Sequence, residues 1–289
     1  MNNPLAANYS DSENTVLVSK SLNGDVKALD ALIRIHQPFI YNVAWKMTND
    51  KNDALDLTQE ALIKVVTKLN LFKGKSAFRT WLYRIVVNEF LQAKRKSKED
   101  QFLDFNDFSK KLDGIPESQP TPQEELELKE FTREAKMRCM SGMLMCLSRE
   151  QRLIYVLGDL FGIDQNVGSE IFNVSKNNYR ALLSRARKEL HNFMQNKCGL
   201  VNVENPCRCA KKAKGLRDKG LLKEGEFRFT DEFSSQISDY VGASYEATSE
   251  LLDRKYVEFY REHPTKKDFD ANTVISEIMK DKDLKIFFH

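Results

Sequence analysis

The chain has 289 residues, of which 41% are apolar, a formal net charge of only +3, and five cysteines. That length suits two or three small domains. An odd cysteine count does not fit a secreted disulfide framework, the polar N-terminus lacks the apolar core of a signal peptide, and no apolar run reaches membrane-spanning length; the sequence therefore reads as cytoplasmic, without membrane insertion.

Residues 1–20 are expected to be a mobile tail. Asn23-Gly24-Asp25 is a turn whose Asp25 caps a helix. That helix buries Val26, Leu29, Leu32 and Ile33, kinks or restarts at Pro38, and continues through Ile40, Val43, Ala44 and Met47. His36 has no second ligand nearby and reads as a surface or half-buried histidine. Residues 53–98 form two helices joined by a short Gly-containing connection. The first places Leu55, Leu62, Val65, Val66 and Leu69 on one stripe, and Asp56, Gln59, Glu60 and Ile63 on the other face. Asp56 and Glu60 lie one turn apart and resemble a paired acid site; Ile63 exposed beside them favours a protein contact. The second helix turns Phe78, Trp81, Leu82, Ile85, Val86 and Phe90 inward, with Trp81 in a packing role. Outward it shows Arg79, Arg84, Asn88, Gln92 and Arg95. From 64 to 98 there are ten Lys and Arg against one acid, Glu89, and from 100 to 130 the balance reverses. Basic blocks separated by an acidic one suit a grip on nucleic acid at two places.

Residues 100–135, broken by Gly114, Pro116, Pro120 and Pro122, read as a flexible acidic linker. Its Phe102, Leu103, Phe105 and Phe108 are unusual for a spacer and suggest a docking segment. Residues 136–197 read as a second helical domain. Met137, Met140, Met143, Leu144 and Leu147 form an adaptable core stripe, and Ser148 with Gln151 is a capping box. A short helix at 165–172, a turn at Asn173-Val174-Ser175 and a helix capped by Ser175 give a helix-turn-helix pattern. Gly168 lets its second helix approach. That helix packs Tyr179, Leu183, Ala186, Leu190 and Phe193. Its outer face carries Lys176, Asn177, Arg180, Ser184, Arg187 and Lys188, with Arg185 on the flank. Such a face is either a DNA reader or a solvated basic surface.

Asp56-Leu57-Thr58-Gln59-Glu60, then Phe72-Lys73-Gly74, Phe78-Arg79-Thr80-Trp81-Leu82 and a helix closing through Asn88 into a basic run, resemble region 2 of an extracytoplasmic-function (ECF) sigma factor of the sigma-70 family. Residues 147–190 resemble region 4 of the same family, down to Arg185-Ala186-Arg187-Lys188-Glu189-Leu190. The resemblance implies an all-α fold with region 2 at 21–99 and region 4 at 136–197. It implies core RNA polymerase, promoter DNA and an anti-sigma factor as partners. Asp56, Gln59, Glu60 and Ile63 would then meet the polymerase clamp. Lys73, Lys75, Ser76, Arg79, Arg84, Asn88, Gln92 and Arg95 would bind and melt the −10 element. The Lys176–Lys188 face would read the −35 element. Lys176-Asn177-Asn178-Tyr179-Arg180 departs from the family's usual start to the recognition helix, and Leu182 stands where a basic residue is common, so the promoter sequence read does not carry over.

A Cys-rich basic segment at 198–215 and a helical, slightly acidic extension at 216–289 lie beyond the family core. Cys198, Cys207 and Cys209 with His191 are candidates for a structural zinc site; reduced thiols or an oxidisable pair are the alternatives. No phosphate-binding Gly loop, nucleophile elbow or metalloprotease motif is present, so the sequence reads as non-enzymatic. A stand-alone helix-turn-helix regulator is the competing function.

Overall fold

The computed structural model describes residues 4–5, 9–93 and 104–224. Among them are eleven α-helices, no strand, and no helix long and apolar enough to cross a membrane. The described residues up to 93, together with 148–186, form one unit; 104–147 with 187–224 form another. The stretch 136–197 expected as one domain falls across both units, with 148–186 in the first.

In the first unit, α1 (Ser12–Leu22), α2 (Val26–Thr48), α3 (Lys51–Thr67) and α4 (Phe78–Gln92) pack around Ile40, Met47, Ala61, Phe78 and Phe90, all fully buried. Asp25 caps α2 by accepting from the Lys27 and Ala28 amides at 3.0 and 3.1 Å. Asp50 does the same for α3 at Asn52 and Asp53, 2.9 and 3.1 Å. Pro38 does not restart α2 as a second helix; it sits inside one continuous element. Its penalty in a helix interior, about 3 kcal/mol, is offset by burial of Ile40 and Tyr41 beside it. The inward face of α3 is also rotated from the expected one: Ala54, Leu57, Thr58, Ala61, Leu62 and Val65 are buried, while Leu55 and Val66 are half-exposed.

The expected mobile tail is in part helical, from Ser12 onward. Helix α1 buries Asn14 and Val18, and Asp11 before it caps α4 from afar: its carboxylate accepts from the amides of Phe78 and of Arg79, the latter at 3.3 Å. Asn14 Oδ1 accepts from the Tyr9 hydroxyl and faces His36 Nε2, each at 3.2 Å. His36 is fully buried, not half-buried, edge-on to the Phe78 and Tyr83 rings at 5.8 and 5.9 Å.

Burial pushes the His36 pKa from 6.5 down to about 3. The unfolded chain therefore binds the extra proton between those values, so the contribution to stability is complete above pH 6.5 and is lost as pH falls toward 3. The limiting slope is about 1.4 kcal/mol per pH unit. Urea melts from pH 7 to pH 4 should show His36→Gln falling less steeply than the parent chain. Parallel slopes would remove His36 from the acid response.

In the second unit, α5 (Phe105–Asp113), α6 (Pro122–Glu127), α7 (Lys129–Met145), the end of α10 (Lys176–Lys197) and α11 (Cys209–Asp218) pack together. The expected flexible linker is here largely ordered. Asp104 caps α5, Phe108 and Leu112 are buried, and Phe105 and Phe108 stack near Phe193 at 5.1 and 5.6 Å. The acidic block is held by the basic one: Lys212 Nζ donates to the carbonyls of Leu112 and Ile115 at 2.7 and 3.1 Å and pairs with Glu117 at 2.8 Å. Lys214 pairs with Glu124 at 2.6 Å, and that contact lowers the Glu124 carboxyl to about 2. The helices expected beyond residue 224 lie outside the described residues.

Candidate functional site

Helix α3 presents Asp56 and Glu60 exposed, with Gln59 and Ile63 half-exposed beside them. An apolar residue ringed by acid and amide on one helix face has the composition of a protein contact, with an apolar centre and a polar rim. Behind that face, Lys64 pairs with the largely buried Glu89 of α4, fixing the two helices in register.

The loop from α3 to α4 begins with a 3-10 turn, Leu69–Leu71. Phe72 is anchored against Phe78 and Trp81, with ring centroids 5.3 and 5.5 Å apart. Trp81 is half-exposed and sets the loop's position from the side. Gly74 has φ +66, a conformation L side chains rarely adopt, which lets the loop turn between two exposed lysines, Lys73 and Lys75. Lys73 Nζ donates back to the Asn70 carbonyl at 3.0 Å, and Ser76 is half-buried. The loop therefore offers positive charge and backbone beside an aromatic cluster.

On α4 the outward residues do not form one open row. Asn88 and Gln92 are exposed and, with Lys64, Lys68, Ile85 and Glu89, line a cleft of about 130 Å³. Arg79 instead lies over the Tyr9 ring at 5.7 Å and donates to the Pro4 carbonyl at 3.3 Å. Arg84 donates to the Glu170 carbonyl at 3.1 Å. Arg95 lies outside the described residues.

Glu170 belongs to α9 (Gln165–Phe172), which packs against α4 in the same unit. Before it, α8 (Arg149–Tyr155) opens with the expected Ser148–Gln151 capping box and runs into a π-helical turn, Val156–Leu160. Buried Arg152 donates to the Met47 carbonyl and Arg149 to the Ala93 carbonyl. Phe161 meets the Phe39 ring edge-on at 6.4 Å and lies 5.4 Å from Lys46 Nζ. Burial lowers the Lys46 ammonium to a pKa of about 7.

Asn173 ends α9 in the left-handed conformation, φ 54, and Ser175 Oγ accepts from the Asn178 amide at 3.2 Å to start α10. Tyr179, Leu183, Ala186 and Leu190 are buried, while Lys176, Asn177, Arg180, Ser184, Arg185, Arg187 and Lys188 are all exposed. Arg180 donates to the Asn177 side-chain carbonyl, which pre-orients both groups. This is a helix-turn-helix with a polar, basic second helix.

Residues 32–99 match the family model of sigma-70 region 2. This match, with the similarities that follow, supports an ECF sigma-70 family sigma factor. The chain is 28% identical over 183 residues to the ECF RNA polymerase sigma-E factor of Escherichia coli strain K12, covering 62% of this chain and 93% of that one. It is 42% identical over 72 residues to the RNA polymerase sigma-H factor of Pseudomonas aeruginosa, covering 25% of this chain and 37% of that one. Among solved structures, CnrH in complex with the cytosolic domain of CnrY aligns with TM-score 0.46 at 17% identity, covering 64% of this chain and 98% of that one.

Two features of the chain escaped the sequence. Asp11, Tyr9 and Asn14 support α4 from a segment without helical hydrophobic periodicity; only the spacing of Asp11 before a short helix hints at a cap. The second is the lining of α4 by α9. The cysteines are brought together only in part. Cys198 and Cys207 form an isolated parallel bridge, but no group of three or more His, Cys, Asp or Glu side chains that could hold a metal occurs among the described residues, so His191, Cys198, Cys207 and Cys209 are not assembled into such a site.

Proposed function

We propose that this sigma factor binds core RNA polymerase and directs promoter recognition, DNA melting and transcription initiation in the cytoplasm, without catalysing a reaction of its own. The observation that carries the reading is the combination, on one chain, of a sigma-70 region 2 at 32–99 and an exposed basic recognition helix at α10. The Asp56–Ile63 face docks on polymerase. Lys73, Lys75 and Ser76 guide the −10 strand to the α3–α4 loop, and Asn88 and Gln92 offer hydrogen bonds along it. Arg79 serves as a strut under that surface, because its guanidinium is engaged with Pro4 and Tyr9. Arg84 reaches DNA only when α9 leaves α4, so loading on polymerase and separation of these helices belong to one step. The α10 face enters the −35 major groove, arginine and asparagine reading bases and lysine holding phosphates.

Run-off transcription with purified core polymerase on genomic fragments tests this. Promoter-specific transcripts should require both components. Tight duplex promoter binding by the protein alone, with no effect on core polymerase, would instead identify a stand-alone regulator. Within the −35 contact, Arg180→Ala should lose about 1–3 kcal/mol of discrimination at one base position. Lys188→Ala should weaken all sequences alike and reduce the salt slope by about one. Binding titrations on a panel of single-base promoter variants separate the two; equal shifts for both mutants on every variant would contradict the assignment.

A further inference from the structure

Helix α10 ends at Lys197, and a tight loop carries the chain to α11, which starts at Cys209. The loop is closed by side chains onto backbone. Asn205 Nδ2 donates to the carbonyls of Gln195 and Cys198 at 2.8 and 3.2 Å, and Asn202 Nδ2 to Gln195 at 3.3 Å. Arg208 spans the loop, donating to the carbonyls of Val203 at 2.8 Å, Cys207 at 3.1 Å and Asn205. A Cβ on Gly199 would lie 2.3 Å from the Cys207 carbonyl oxygen, a backbone atom, so a side chain there forces the loop to shift.

This closure pairs Cys198 with Cys207 in a parallel β-bridge. Bridged chains run about 4.8 Å apart, inside the roughly 4.4–6.8 Å between Cα atoms that a disulfide accepts. Directly paired residues also project their side chains to the same face of the ladder. Both cysteines are half-exposed, and no disulfide links them in this structure.

We propose that Cys198 and Cys207 are a reversible oxidation site, forming an intramolecular disulfide with hydrogen peroxide that tethers α11 to the end of the recognition helix. One thiolate attacks a peroxide oxygen. The O–O bond breaks, the departing hydroxide takes a proton and leaves as water, and a sulfenic acid forms. The second thiol loses its proton as its sulfur attacks the first, the S–O bond breaks, the S–S bond forms, and a second water leaves. Two thiols are oxidised and one peroxide is reduced; a dithiol reductant reverses the bond. Two of the other thiols, Cys139 and Cys209, are poor competitors: desolvation raises Cys139 well above the usual thiol range and Cys209 to about 12, keeping both protonated. Cys207 is itself raised by burial and by Cys198 beside it, which suits the resolving thiol.

The consequence follows from what α11 holds. Lys212 and Lys214 grip Glu117 and Glu124 of the segment between the two DNA-contacting regions, and Gly215 lies against Pro116. The amide of Ser118 donates to the Lys211 carbonyl at 3.1 Å. A tether two residues before α11 restricts the states in which that grip is released.

The full-length protein is treated with hydrogen peroxide, its remaining thiols are alkylated, and it is digested with trypsin without reduction. Cleavage after Lys197 and Arg208 puts both cysteines in one peptide, 198–208. The expected product is that peptide unalkylated and lighter by two hydrogens, restored to the alkylated form by dithiothreitol. Peptides holding Cys139 and Cys209 should remain alkylated. Cleavage at Lys211 and Lys214 under native conditions should be slower in the oxidised protein, and Cys198→Ser should remove both changes. A fully alkylated 198–208 peptide after peroxide, a bond to another cysteine, a cross-link between chains, or sulfinic acid without a bridge would overturn the proposal.

Discussion

Replacing Asp56 and Glu60 together by arginine should weaken binding to core RNA polymerase by about 3 kcal/mol, roughly a hundredfold in Kd. Both side chains are exposed on α3 and lie on the face opposite Ala54, Ala61 and Val65. Substitutions at such positions change fold stability little. On the proposed docking, the effect is large because reversing two charges in a contact face replaces attraction by like-charge repulsion, which loses several kcal/mol. Gel filtration or fluorescence anisotropy with labelled protein measures the association, and a thermal melt checks the fold. Glu60→Gln alone should show a small loss, since it removes attraction without adding repulsion. Unchanged polymerase binding in the double arginine variant, with an unchanged melt, would move the docking site elsewhere.

The parts of this site that were legible in the sequence are those fixed by local chemistry. Ser148 and Gln151 announce a helix start through hydrogen bonds that span three residues, and the structure has both. The α10 stripe of Tyr179, Leu183, Ala186, Leu190 and Phe193 follows 3.6-residue periodicity and is buried throughout. What was not legible is non-local or small. Asp11 caps α4 across 67 residues, and no pattern near Asp11 records that partner. The α3 face was mis-phased because Ala54, Thr58 and Ala61 carry little hydrophobic signal, yet small residues let α2 approach. Thr58 hides its hydroxyl by donating to the Ala54 carbonyl at 2.6 Å. The acidic linker and the basic run at 211–217 were both visible as charge blocks. That they pair with each other, Lys212 with Glu117 and Lys214 with Glu124, depends on helix packing that no local pattern records.

Gly168→Ala should destabilise the helix-turn-helix by about 1–3 kcal/mol, although the same change in an open helix stabilises. Two terms compete. Alanine in place of glycine inside a helix gains about 1 kcal/mol in propensity. Against it, a Cβ at Gly168 would lie 2.4 Å from Tyr179 Cζ and 2.7 Å from its Oη, so the ring must move. It has little room to do so. Tyr179 is 1% exposed, its hydroxyl would lie 2.9 Å from a Cβ on Gly158, and Ile154 and Leu183 complete its pocket. Overpacking of this kind typically loses 1–3 kcal/mol beyond any local gain. The recognition helix hangs on that ring, so binding to −35 duplex should fall with stability. The double variant Gly168→Ala/Tyr179→Leu isolates the cause: leucine removes the ring's far end, and the alanine should then stabilise relative to Tyr179→Leu alone. Urea denaturation of the four proteins in this cycle gives the coupling energy. A stabilising Gly168→Ala in the parent chain, or a destabilising one in the leucine background, would show that Tyr179 does not sit against this glycine.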